Sequence, residues 1–110
     1  MERKYAIKSK LTKEELQSLA NNTKDLDPKQ SHYRAYRTMM NEIRRELLQY
    51  IGCEIRNMDD IKEQFIINLD QLNYHLSMLE QCYFIINSPE GWKSTPLGLA
   101  FLDNAKMGDY

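Results

Sequence analysis

Gln71, Asn73, Tyr74 and Ser77 fall within one short stretch, and each carries a side chain able to read or hold nucleic acid. Asn and Gln carboxamides pair bidentately with adenine, a serine hydroxyl contacts several bases, and a tyrosine hydroxyl reaches a phosphate. Phosphates also demand cations. In the body of the chain Arg44, Arg45, Lys62 and Lys93 are the expected suppliers, with Arg56 near them. An N-terminal arm bearing Arg3, Lys4, Lys8, Lys10 and Lys13 adds more.

Other chemistries find less support. Gly91 and Gly98 read as parts of a turn and a helix rather than a phosphate loop. No Ser/His/Asp order or carboxylate pair stands out, so neither catalysis nor a cofactor is expected. Cys53 and Cys82 are distant in sequence and lack a CxxC partner, as expected of small buried thiols in a reducing compartment. Cys53, His75 and Cys82 could converge, yet no ligand pair has i, i+4 or CxC spacing, and no metal site is expected. His32 reads as a solvated residue at a helix entrance.

The 110 residues suit one soluble domain with 42% apolar and 28% charged side chains. The charged start lacks a signal-peptide pattern and no apolar run would span a membrane, so a cytoplasmic protein is expected. Charge divides unevenly: residues 1–56 hold 12 Lys/Arg and 8 Asp/Glu, whereas residues 57–110 hold 3 and 8. An anionic partner therefore belongs against the first half.

Caps and periods supply the elements that position these residues. Thr12 and Glu15 form a capping box for a helix to about Asn22, with Leu16, Leu19 and Ala20 on one side. A polar loop containing Asp27-Pro28 follows. Ser31 is the expected cap of a long helix to Ile51, striped by Tyr36, Met40, Ile43, Leu47 and Ile51, with Gly52 as its terminator. Arg34, Arg37, Arg44 and Arg45 fall on or beside its polar face.

Asn57 caps a short helix to Phe65, and Asn68 with Gln71 at N3 caps another to about Gln81. That second helix turns Leu69, Leu72, Leu76 and Leu79 inward. Opposite them lie Asp70, Asn73, Tyr74, Ser77 and Gln81, with Gln71 at the margin. Two helices joined by a tight turn make a helix-turn-helix pattern. Tyr83–Asn87 has strand composition, Ser88–Gly91 is a turn, and Trp92–Ser94 pairs back as a hairpin. Thr95-Pro96 opens a last helix bearing Leu97, Leu99, Ala100, Phe101 and Leu102, apolar around most of its circumference. The expected fold class is mainly α with a small β-hairpin (α+β): a winged helix-turn-helix with an extra N-terminal helix.

Leu72-Asn73-Tyr74-His75-Leu76-Ser77-Met78-Leu79-Glu80 resembles the recognition helix of the ArsR-like and MarR-like winged-helix regulators. Ile43–Ile51 is similar to the first helix of that fold. Trp92–Leu102 resembles the Thr-Pro-x-Gly wing exit seen in many archaeal members. The resemblance spans residues 34–104 and implies double-stranded DNA as partner and transcriptional regulation as function. It departs at Tyr83, where a Gly is usual, and at the wing tip, which carries Glu90 rather than a cation.

Residues 68–82 contain Asp70 and Glu80 but no Lys or Arg, a poor electrostatic footprint for DNA. The rival reading is a winged-helix protein-interaction module whose acidic helix-and-wing face binds a basic partner. The expected organisation is an arm and helix over 1–30, a winged domain over 31–106 and a tail over 107–110. A homodimer is expected through the first and last helices, using Leu16, Leu19, Leu97, Leu99 and Phe101.

Overall fold

Residues 9–105 are described by a computed structural model and form six helices and three short strands. Arg3, Lys4, Lys8 and the tail 107–110 lie outside the described residues. Thr12 starts the first helix, α1 (Lys13–Thr23), with the reciprocal bonds of a capping box to Glu15. None of the α1 side chains is buried, so its position depends on tethers to other elements. Ser9 Oγ donates to the Ser94 carbonyl at 3.2 Å, Leu11 is buried, and Glu15 pairs with Lys93 at 2.9 Å.

The helix expected over 31–51 is two helices. Asp27, not Ser31, caps α2 (Pro28–Thr38), with the proline in its first turn, where a missing N–H costs nothing. The backbone then leaves the helical path at Met39–Asn41. Asn41 caps α3 (Glu42–Ile51) by accepting from the Arg44 N–H at 3.1 Å. The break turns α2 relative to α3, burying Met39 and leaving Met40 64% and Tyr36 61% exposed. Only the α3 part of the apolar stripe, Leu47 and Ile51, reaches the core.

Gly52 ends α3 at a φ of 46°, a conformation that favours glycine. A two-residue strand that sequence reasoning misses, β1 (Ile55–Arg56), follows. Asn57 and Asp60 form a capping box for α4 (Met58–Gln64), and Asn68 caps α5 (Leu69–Gln81). The core side of α5 is Leu72, His75, Leu76 and Leu79; Leu69, expected there, is 48% exposed.

Where a glycine would be usual, Tyr83 itself takes the left-handed conformation, at a φ of 64°. Its N–H donates to the Glu80 carbonyl and that of Phe84 to the Leu79 carbonyl, the two bonds of a Schellman ending. The turn is therefore of the ordinary kind, at a conformational penalty of about 1–2 kcal/mol for an L residue.

Strands β2 (Ile85–Ser88) and β3 (Gly91–Ser94) form a hairpin around Pro89-Glu90, with Ser88 opposite Gly91. β1 pairs with the other edge of β3, Ile55 opposite Lys93, giving the antiparallel order β1-β3-β2. The last helix, α6 (Pro96–Ala105), is anchored by Thr95. The Thr95 hydroxyl donates to the Tyr83 carbonyl at 2.6 Å and accepts from the Gly98 N–H at 3.1 Å. Gly98 lies so close to the Phe84 carbonyl that any Cβ there would collide with backbone.

The core joins Leu47, Leu48 and Ile51 of α3 to Leu76 and Leu79 of α5, Ile85 of β2, and Leu99 and Leu102 of α6. Leu99 is fully buried within the single chain, which removes it from the expected dimer contacts. Phe101 is half-buried against Phe84, with ring centroids 5.5 Å apart. Leu97 and Leu16 are exposed and Leu19 is half-buried. Among the described residues no helix is long and apolar enough to cross a membrane.

Candidate nucleic-acid interface

α4 and α5 meet through the short link Phe65–Asn68, and the start of α5 projects from the molecule. Ile66 in the link is 95% exposed, and Asp70, Gln71 and Asn73 are open to solvent. Tyr74 is 56% exposed. Ser77 is half-buried, and its Oγ accepts from Gln81 Nε2 at 3.1 Å. Of the side chains expected to meet bases, Gln71 and Asn73 are presented freely, Tyr74 is exposed with its ring beside His75 and Arg44, and Ser77 already has a partner on its own helix.

The expected cations fare differently. Lys62 on α4 is exposed, whereas Lys93 is 1% exposed. The Lys93 ammonium sits 2.9 Å from Glu15 and 3.5 Å from Glu90, so it is committed inside the protein and cannot contact a phosphate. The hydrogen bond to Glu15 raises the Lys93 pKa against the opposing effect of burial. Burial pushes Glu15 up, but the bonds from Thr12 and Lys93 prevail and hold it below its ordinary value. Arg44 is buried as well, and Arg45 is half-buried with Nη1 donating to the Met39 carbonyl at 2.9 Å. Arg56 stacks over the Tyr50 ring at 4.1 Å and donates to the Tyr50 carbonyl.

Positive charge instead comes to α5 from α2. A cleft of about 400 Å³ separates the two helices, walled by Tyr33, Arg34, Arg37 and Thr38 on one side and Tyr74 and Met78 on the other. Arg44 closes its floor. Arg34 and Arg37 are exposed, and no ion pair engages either among the described residues. Arg37 lies 5.7 Å over the Tyr33 ring and Arg44 5.3 Å over the Tyr74 ring. The polar character of Arg34 and Arg37 was visible in the sequence, but their neighbour was not. The break at Met39–Asn41 decides that they face α5.

Arg44 Nε donates to His75 Nδ1 at 3.1 Å, and Nη1 to the Thr38 carbonyl at 3.3 Å. His75 must therefore be neutral with its proton on Nε2. Burial, then the neighbouring Arg44 charge, lowers its pKa below the ordinary histidine value. Burial pushes the Cys82 thiol up to about 11, while Cys53 is half-buried. A high pKa disfavours the nucleophilic thiolate at Cys82. No group of three or more His, Cys, Asp or Glu side chains among the described residues could hold a metal ion. No protein-family model, curated protein or solved structure matches the chain.

Proposed function

We propose that this chain is a cytoplasmic winged helix-turn-helix regulator of transcription that binds double-stranded DNA as a homodimer. In this reading α4 and α5 are the helix-turn-helix, β2–β3 is the wing, and α5 enters the major groove with Gln71, Asn73 and Tyr74 towards the bases. The element order α3-β1-α4-α5-β2-β3-α6 suits that fold. The observation that carries the functional reading is the pair of exposed, unpaired arginines, Arg34 and Arg37, beside the Tyr74 side of an α5 that has no cation of its own. They supply phosphate contacts that α5 lacks, together with Lys62.

The second copy meets this one through exposed Leu97 of α6 and through a mainly apolar hollow of about 210 Å³ lined by Phe101 of α6, Tyr36 of α2 and Met40 just beyond α2. Two such subunits present their α5 helices to half-sites about one helical turn apart.

A salt series with a mixed-sequence duplex tests the DNA reading. Affinity should fall steeply with salt, and Arg34→Ala with Arg37→Ala should reduce the slope of log K against log salt by about 2. No binding at low salt would overturn it. Exposed Ile66 and Leu69 beside acidic Asp70 favour one rival, a protein-interaction module with a basic, partly apolar partner. In that case a cationic amphipathic peptide, and not the duplex, would perturb α5.

A further inference from the structure

We propose that the cleft between α2 and α5 is a binding site for a small oxyanion ligand: a phosphate monoester or carboxylate carrying a flat, apolar body. The argument begins with Arg44. Its side chain is in a residue only 8% exposed, yet no carboxylate pairs with it among the described residues. A buried charge without a counter-charge is expensive, and folded proteins ordinarily pair it. A guanidinium carries five N–H donors. Among the described residues Arg44 directs its Nε donor to His75 and an Nη1 donor to Thr38, and Nη2 has no hydrogen-bond partner where the residue lines the cleft.

Arg34 and Arg37 stand on the rim of the same cleft, three apart on α2 and so on one helix face, again without acidic partners. Three guanidinium groups around one hollow form a fork-like donor array suited to the planar or tetrahedral oxygens of carboxylate and phosphate. The rest of the wall is of another kind. Tyr33, Tyr74 and Met78 offer aromatic faces and a polarisable thioether, surfaces that hold a flat apolar group. The volume, about 400 Å³, is ample for a ligand of that size.

Binding in the cleft does not depend on the DNA reading, but its consequence does. Arg34 and Arg37 are the cations assigned there to phosphates, and Tyr74 borders both surfaces. A ligand in the cleft therefore competes with DNA, which makes the site regulatory.

The test titrates the full chain with phenyl phosphate at constant ionic strength, followed by two-dimensional NMR, with inorganic phosphate in parallel. A fragment of this size binds at roughly millimolar concentration, so titration to about 20 mM should approach saturation. Resonances of Tyr33, Arg37, Tyr74 and Met78 should shift saturably, and inorganic phosphate should bind at least about fivefold more weakly, lacking the ring. Arg37→Ala, an exposed substitution that leaves the fold intact, should weaken phenyl phosphate about fivefold or more, and Arg44→Gln should weaken it further. The proposal is overturned if shifts are absent or non-saturating, fall outside the cleft, or persist unchanged in Arg37→Ala. If phenyl phosphate binds as stated but does not displace a bound duplex, the cleft stands and the DNA role of Arg34 and Arg37 falls.

Discussion

The Lys93 ammonium and the Glu15 carboxylate meet at 2.9 Å, tying the middle of β3 to the first turn of α1 across 78 positions of sequence. Since α1 buries no side chain of its own, this pair is a principal tether of the N-terminal helix. Glu15→Gln should lower stability by roughly 1 kcal/mol, between the values for exposed and buried pairs, and Tm by several degrees. The depressed Glu15 pKa sets the direction with pH. Its contribution is present above 4.5, the ordinary value, and is lost as pH falls through the lower folded value. The elevated Lys93 pKa adds stability present below 10.5 and lost as pH rises through the folded value. Urea titrations at pH 3 to 7 should show the variant's deficit shrinking towards acid; a constant deficit would refute the assignment.

His75 has the opposite chemistry but the same slope. Its folded pKa lies below 6.5, so the unfolded chain binds more protons just below that pH. Stability should be greatest above pH 6.5 and decline as pH falls towards the folded value. His75→Gln keeps an acceptor for Arg44 and should flatten that decline while preserving most stability at pH 7.5. Thermal unfolding from pH 5 to 8 measures the difference; equal slopes in both proteins would count against the Arg44–His75 geometry.

Gly98→Ala should be among the most damaging single-methyl additions. The added Cβ meets the Phe84 carbonyl, a backbone atom that cannot swing aside, and α6 must move off the sheet. A loss of about 2 kcal/mol or more is expected from such overpacking. Denaturant midpoints decide the point, and an unchanged midpoint would mean that α6 sits further out.

For the dimer, Leu97→Lys and Tyr36→Lys replace exposed apolar side chains and should leave Tm of the isolated subunit within about 0.5 kcal/mol equivalent. Sedimentation at micromolar concentration should give a dimer for the parent and a monomer for the double variant. A parent that sediments as a monomer ends the proposal.

Much of this fold is legible in short signals of local origin. Thr12 forms the capping box its sequence suggests, Asn57 and Asn68 are the caps expected of them, Gly52 terminates α3, and the periodic leucines of α5 face inward except Leu69. The second capping box sits at Asn57 with Asp60 rather than at Asn68 with Gln71, where Asn68 accepts from the Asp70 and Gln71 N–H groups. What escapes the sequence is tertiary. The spacing of Tyr36, Met40 and Ile43 continues a helical stripe, so the Asn41 cap is masked by an apolar period that the break then interrupts. β1 is two residues long, below any detectable alternation, and exists because β3 offers it an edge. Lys93 reads as a wing cation because nothing local reveals that Glu15 lies over it. For the candidate site, the exposed side chains of α5 could be named beforehand, whereas the arginines flanking it depend on an interhelical angle.

That angle has a mechanical meaning. α2 is a helix of 11 residues, joined to α3 by the short segment Met39–Asn41. One flank carries Arg34 and Arg37 over the cleft, while Tyr36 lines a hollow on another side together with Met40 of the connecting segment. A lever loaded on two sides cannot tilt for one without tilting for the other. Closing α2 onto a ligand would swing Tyr36 by the same rotation, and in the proposed dimer that would change the spacing between subunits without any rearrangement of the core.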